Sequence, residues 1–141
     1  MSVPTQSTAV VRQLWPLLAV QDIGRSVAFY RDQLGFTLVG EAQSHGKMYW
    51  CRLARGGASV MLQQAVREDD PAQGRGRGVV FYFVCDDADA MYAELSSRGV
   101  QLKPPTVAYY GMKQVFVPEP DGYAICTRGH VPSVGLSKQL A

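Results

Sequence analysis

The sequence predicts an α+β fold, two βαβββ repeats whose strands form a curved mixed sheet around a cleft, with the helices outside. Three observations carry this. Short apolar runs and helical patterns follow the order strand, helix, strand, strand, strand, and then do so again. The segments VQDIGRSVAFYRDQLGF (20–36) and VCDDADAMYAELSSRGV (84–100) superpose at one offset of 64 residues, with Val20 on Val84, Asp22 on Asp86 and Gly35 on Gly99. A charged, glycine-rich stretch without apolar period, VREDDPAQGRGRG (66–78), separates the two sets.

Residues 1–12 read as a loose arm, because Arg12 and Pro16 interrupt the only apolar stretch near the start and no signal-peptide order appears. LWPLLAV (14–20) is a short buried strand in which Pro16 cannot donate to a ladder, so the strand lies at an edge or is irregular there. Asp22 caps a helix carrying Val27, Tyr30 and Leu34 at helical spacing, and Gly35 ends it. FTLVGEA (36–42), KMYWCRLA (47–54) and ASVMLQQA (58–65) are strands, with SHG and RGG as their turns. Repeat one therefore spans 13–65, and repeat two spans 79–128. In the second repeat VVFYFVC is a strand, Asp86 caps a helix with Met91, Tyr92 and Leu95 on its inner side, and Gly99 ends it. VQLKPP (100–105), GMKQVFVP and GYAICTR supply the remaining strands, and residues 129–141 form a tail.

The composition bounds the function. With 141 residues, 47% apolar and 18% charged, the chain suits a single folded domain. A formal net charge of +2 argues against nucleic acid, and no apolar run reaches the length of a membrane span. Cys51, Cys85 and Cys126 are odd in number and set in apolar runs, as expected of reduced, buried thiols in the cytoplasm.

VQDIGRSVAFYRDQLGF and PEPDGYAI together resemble the vicinal oxygen chelate superfamily, which includes glyoxalase I, the bleomycin-resistance proteins and the extradiol dioxygenases. Glu119 stands where the family's turn has its first Asp. The resemblance covers residues 13–128. It implies four inward-pointing ligand positions for a divalent metal, which fall on Trp15, Met61, Val80 and Cys126. Imidazole and carboxylate are what such an ion needs. Only Cys126 offers a donor, and shifting by one residue adds no set of ligands. His45 and His130 lie outside the pattern. The resemblance thus implies a protein with neither metal nor cofactor.

If strand alternation follows the family, Trp15, Leu17 and Ala19, then Ser59, Met61 and Gln63, then Val80, Tyr82 and Val84, then Ala124, Cys126 and Arg128 face the cleft. Leu18, Val20, Val60, Leu62, Phe81, Phe83 and Ile125 pack under the helices. Trp50 on the third strand and Tyr109, Tyr110 and Met112 before the seventh add aromatic and soft surface. The candidate ligand-binding set is Trp15, Leu17, Trp50, Met61, Gln63, Tyr82, Tyr109, Tyr110, Met112, Cys126 and Arg128. Such walls suit a flat, largely apolar molecule, with Gln63 and Arg128 to orient it. The resemblance implies a sequestering protein of the bleomycin-resistance type that pairs as a homodimer. The alternative is a metal-free lyase, isomerase or hydrolase using a residue such as Tyr109, Glu41 or Cys126. No nucleophile–base pair is visible for it. A partner-binding module with an empty cleft, which a pocket closed by side chains would favour, is a third reading.

Overall fold

The computed structural model describes residues 8–66, 74–107 and 111–130. The calls on the arm before residue 8, on most of the loop, on Tyr109 and Tyr110 and on the tail after His130 lie outside them. Module one consists of β1 (Leu17–Val20), α1 (Ile23–Ala28) continued by a π-helical turn (Phe29–Gln33), β2 (Thr37–Ser44), β3 (Lys47–Arg55) and β4 (Ala58–Gln64). Module two consists of β5 (Val80–Val84), α2 (Ala88–Ser97), β6 (Thr106–Val107), β7 (Met112–Val117) and β8 (Ala124–His130). Each module makes its own four-stranded sheet, ordered β1-β4-β3-β2 and β5-β8-β7-β6. The outer pairs β1–β4 and β5–β8 are parallel and the others antiparallel. The mixed sheet thus divides into two that do not close on one another.

Strand alternation determines what each sheet buries. Leu18, Val20, Cys51, Leu53, Val60 and Leu62 turn inward in module one, and Val115, Val117 and Ile125 do so in module two. All but Val115 join Tyr30, Leu34, Phe36 and Leu95 in one core. Rings carry this core across the modules, with Phe36 and Phe83 at 5.4 Å between centroids.

The repeat is real, but its offset is not uniform. Leu17 pairs with Met61, and Tyr82 pairs with Cys126, so the flanking strands match at 65 residues. An offset of 64 would lay buried Leu18 on exposed Tyr82 and reverse the faces of the strand. Asp87, not the expected Asp86, is therefore the counterpart of Asp22. Asp22 accepts from the Arg25 N–H at 3.1 Å, and Asp87 accepts from the N–H groups of Asp89 and Ala90 at 2.9 and 3.0 Å. The helix stops Gly35 and Gly99, both left-handed (φ 73° and 86°), remain 64 apart. Module one has one more residue between cap and stop, and the π-helical turn takes it up. The strand expected at 100–105 is instead the two-residue β6 beyond Pro104 and Pro105, since proline cannot donate to a ladder.

The β7–β8 turn fastens the modules together. The Asp121 carboxylate accepts from the Gln21 N–H at 2.8 Å, from Ser26 Oγ at 3.3 Å and from Arg75 at 3.1 Å. Tyr123 donates its hydroxyl to the Ala19 carbonyl at 2.7 Å. Glu119 shapes the turn, because its Oε2 accepts the N–H groups of Asp121 and Tyr123 at 2.9 and 2.8 Å. Burial holds the Glu119 carboxyl above its ordinary pKa.

Candidate binding faces

Each sheet turns one face toward the helices and leaves the other open. On module one, Trp15 precedes β1, Leu17 lies on it, Met61 and Gln63 lie on β4, and Trp50 lies opposite Gln63 on β3. Trp15 is 43% and Leu17 51% exposed. The Arg52 guanidinium lies 4.0 Å from the centroid of the Trp15 ring and donates to Ser59 Oγ at 2.8 Å.

Module two repeats the arrangement with different residues. Tyr82 on β5 is 45% exposed, and the Arg128 guanidinium lies 4.4 Å from the centroid of its ring. Arg128 also donates to Gln114 Oε1 at 3.0 Å, and among the described residues its buried Nε finds no partner. Met112 stands at the end of β7 on the same side, two residues from Gln114 and four from Phe116. Phe116, 57% exposed, pairs with Cys126.

The structure therefore brings Trp15, Leu17, Trp50, Met61 and Gln63 to one face, and Tyr82, Met112, Cys126 and Arg128 to another. Three contributors escaped the sequence reading, Arg52, Gln114 and Phe116. Alternation counted from Trp50 and from Met112, which the structure puts on β7 and not in the loop before it, reaches them two or four residues on.

Cys126 lies on this face but is fully buried. Its thiol contacts the Thr127 carbonyl at 3.5 Å and Gln114 Oε1 at 3.9 Å. Burial pushes its pKa up, against the opposing pull of Arg128, so the proton stays on at neutral pH. A metal ligand or nucleophile would need the thiolate. With Trp15, Met61 and Val80 at the other three positions, the donor set does not fit the divalent metal that the fold accommodates elsewhere. Among the described residues, no three His, Cys, Asp or Glu side chains gather as a metal site requires. No helix among them is long and apolar enough to cross a membrane.

With the paired modules and the open faces established, the kinship of the chain follows. Residues 12–127 match the Glyoxalase/Bleomycin resistance protein/Dioxygenase superfamily. The chain belongs to that superfamily. Among solved structures, TnmS3, an antibiotic binding protein from Streptomyces sp. CB03234, is 25% identical, with a TM-score of 0.66 over 88% of this chain and 99% of that one. A glyoxalase/bleomycin resistance protein from the same Streptomyces is 26% identical, with a TM-score of 0.61 over 82% and 97%. A glyoxalase/bleomycin resistance protein/dioxygenase from Nocardioides is 22% identical, with a TM-score of 0.63 over 92% and 88%, and shares the fold. No curated protein shows significant similarity.

Proposed function

We propose that this superfamily member binds a flat aromatic or largely apolar small molecule, an antibiotic or a metabolite, and sequesters it without metal and without chemistry. One observation carries the reading. Each sheet presents an exposed aromatic ring under an arginine, Trp15 beneath Arg52 and Tyr82 beneath Arg128. A planar ligand stacks on such a platform, each good ring pair adding about 0.5–1.5 kcal/mol beyond buried area. The antibiotic-binding neighbour TnmS3 supports the same class of ligand.

The faces of one chain lie open, with Leu17, Tyr82 and Phe116 about half exposed. Apolar surface of this kind calls for a cover, and a homodimer that sets the face of one copy against that of another supplies it.

The chain has two tryptophans, Trp15 and Trp50, both on the module-one face, so intrinsic fluorescence reports on that face alone. Titration with a soluble anthraquinone sulfonate is expected to quench this emission saturably, with the same midpoint in excess EDTA. Light scattering is expected to give the mass of a dimer. Quenching that appears only on adding zinc, nickel, manganese or iron would overturn the reading.

A further inference from the structure

The repeat makes two module junctions equivalent, and they are not filled alike. At the first, Asp121 and Tyr123 of the β7–β8 turn occupy the space beside β1 and α1. At the second, the β3–β4 turn faces β5 and α2. Counted back from Val60 and Ile125, Gly56 takes the position of Asp121 and Ala58 that of Tyr123, the β7–β8 turn being one residue longer between Val117 and Ile125 than the β3–β4 turn between Leu53 and Val60. In the place of the missing side chains a cavity of about 770 Å³ opens, lined by Gly56, Ala58, Phe81, Val84, Met91 and Thr127 among others. That volume lies within the range of ligand pockets.

Two groups on its wall define the occupant. Thr127 is 2% exposed, and among the described residues its hydroxyl has no partner. Its module-one counterpart at the 65-residue offset is Leu62, fully buried and apolar, so packing alone does not ask for a hydroxyl here. The second group is the Val84 carbonyl, counterpart of the Ala19 carbonyl that the Tyr123 hydroxyl caps. The Cys85 N–H bonds to the Arg128 carbonyl, which sets the ladder alternation and turns the Val84 carbonyl away from β8 toward the junction. Among the described residues no side chain donates to it. Val84 is 73% exposed on the edge strand β5, so its carbonyl is open to an incoming donor, while the buried Thr127 hydroxyl costs stability unless something pairs with it.

We propose that this slot, which Tyr82 also borders, is a second small-molecule site apart from the open face of module one, and that it takes a phenolic compound. The aromatic ring fills the volume that a counterpart of Tyr123 would occupy, and the phenol donates to the Val84 carbonyl as Tyr123 does to Ala19. The Thr127 hydroxyl pairs with a second polar atom of the ligand. The ligand supplies from outside what the first junction holds covalently.

The probe is 4-propylphenol, read by the amide resonances of Val84 and Thr127, beside its methyl ether, which keeps the shape and loses the donor. Saturable shifts are expected with the phenol, and binding about tenfold weaker with the ether, as one hydrogen bond implies. Ala58→Tyr restores the missing side chain and is expected to abolish binding, while Trp15→Ala leaves it unchanged. Thr127→Val, nearly isosteric and safe for the fold, is expected to leave phenol affinity intact and to weaken catechol, which has the second hydroxyl. No saturable shift with the phenol, equal affinity for the ether, undiminished binding by a folded Ala58→Tyr, loss of binding in Trp15→Ala, or catechol affinity indifferent to Thr127→Val would each overturn the proposal.

Discussion

The two junctions between the modules answer the same geometrical problem with different chemistry. The first is clasped by a buried carboxylate and a phenol, Asp121 and Tyr123. The second has Gly56 and Ala58 in their places and relies on Arg55. This guanidinium reaches across to Glu94 with bonds of 2.7 and 2.9 Å and to the Leu34 carbonyl at 2.9 Å. Both Arg55 and Glu94 keep about a third of their side chains in solvent, whereas the side chains of Asp121 and Arg75 are almost wholly buried. The lesson is that one βαβββ unit used twice can be fastened firmly on one side and left hollow on the other. A duplicated fold can thereby keep space for a ligand without weakening the whole.

Breaking the clasp tests this most severely. Asp121→Ala leaves the Arg75 guanidinium buried without its carboxylate and the Gln21 N–H and Ser26 hydroxyl without their acceptor. It is expected to cost about 3–5 kcal/mol in chemical denaturation, the range for stripping one partner from a buried charge pair. A loss no larger than that of a surface ion pair would mean that the clasp is ornamental.

Tyr123→Phe removes a single hydroxyl from the same junction and orphans the Ala19 carbonyl. An expected loss of about 1 kcal/mol follows from one hydrogen bond. The hollow junction should respond with the opposite sign. Thr127→Val removes a buried hydroxyl that has no partner, and in the absence of ligand it is expected to raise stability by about 1 kcal/mol. A loss there would show that Thr127 is satisfied in the free protein.

The smallest effects concern pH. Arg55 holds the Glu94 carboxyl below its ordinary value, chiefly through its hydrogen bond. Glu94 therefore contributes stability that is present above about pH 4.5 and fades as the pH falls through the lowered value. Arg55→Ala is expected to cost below about 1 kcal/mol at neutral pH, because both groups are partly exposed, and to flatten the acid limb of a thermal melt series. Glu119 has the opposite sign. Its pKa is raised by burial, so its contribution is complete below about pH 4.5 and is lost as the pH rises through the raised value. Glu119→Gln keeps an acceptor for the two N–H groups of the turn and is expected to remove that decline. A melt series from pH 3 to 8 distinguishes the two.

Much of the fold was legible because short-range rules govern it. Alternation of period two assigned Leu18, Val20, Val60 and Leu62 to the core, and it set Leu17 and Tyr82 on the opposite face, toward the cleft. Asp22, Gly35 and Gly99 announced a helix start and two stops through preferences of the backbone itself. The misplacement of Asp86 has a specific cause. The π-helical turn hides one residue inside the first helix, so the single offset of 64, right for the helix stops, slips by one against the caps and the strands. Cys126 shows another limit. Its face and its burial were both readable, but its contact with Gln114, to which Arg128 also bonds, was not, because no local pattern gives the directions of those side chains.

The sequence by itself determined the two repeats, the strand faces and the aromatic character of the surface, since each depends on residue type and local spacing. Only the tertiary structure decided that each repeat keeps its own sheet, that Asp121 clasps Gln21 from 100 positions away, and that the matching junction stays hollow. Those outcomes rest on contacts between residues far apart in the chain, and on which buried groups find a partner once both modules are packed.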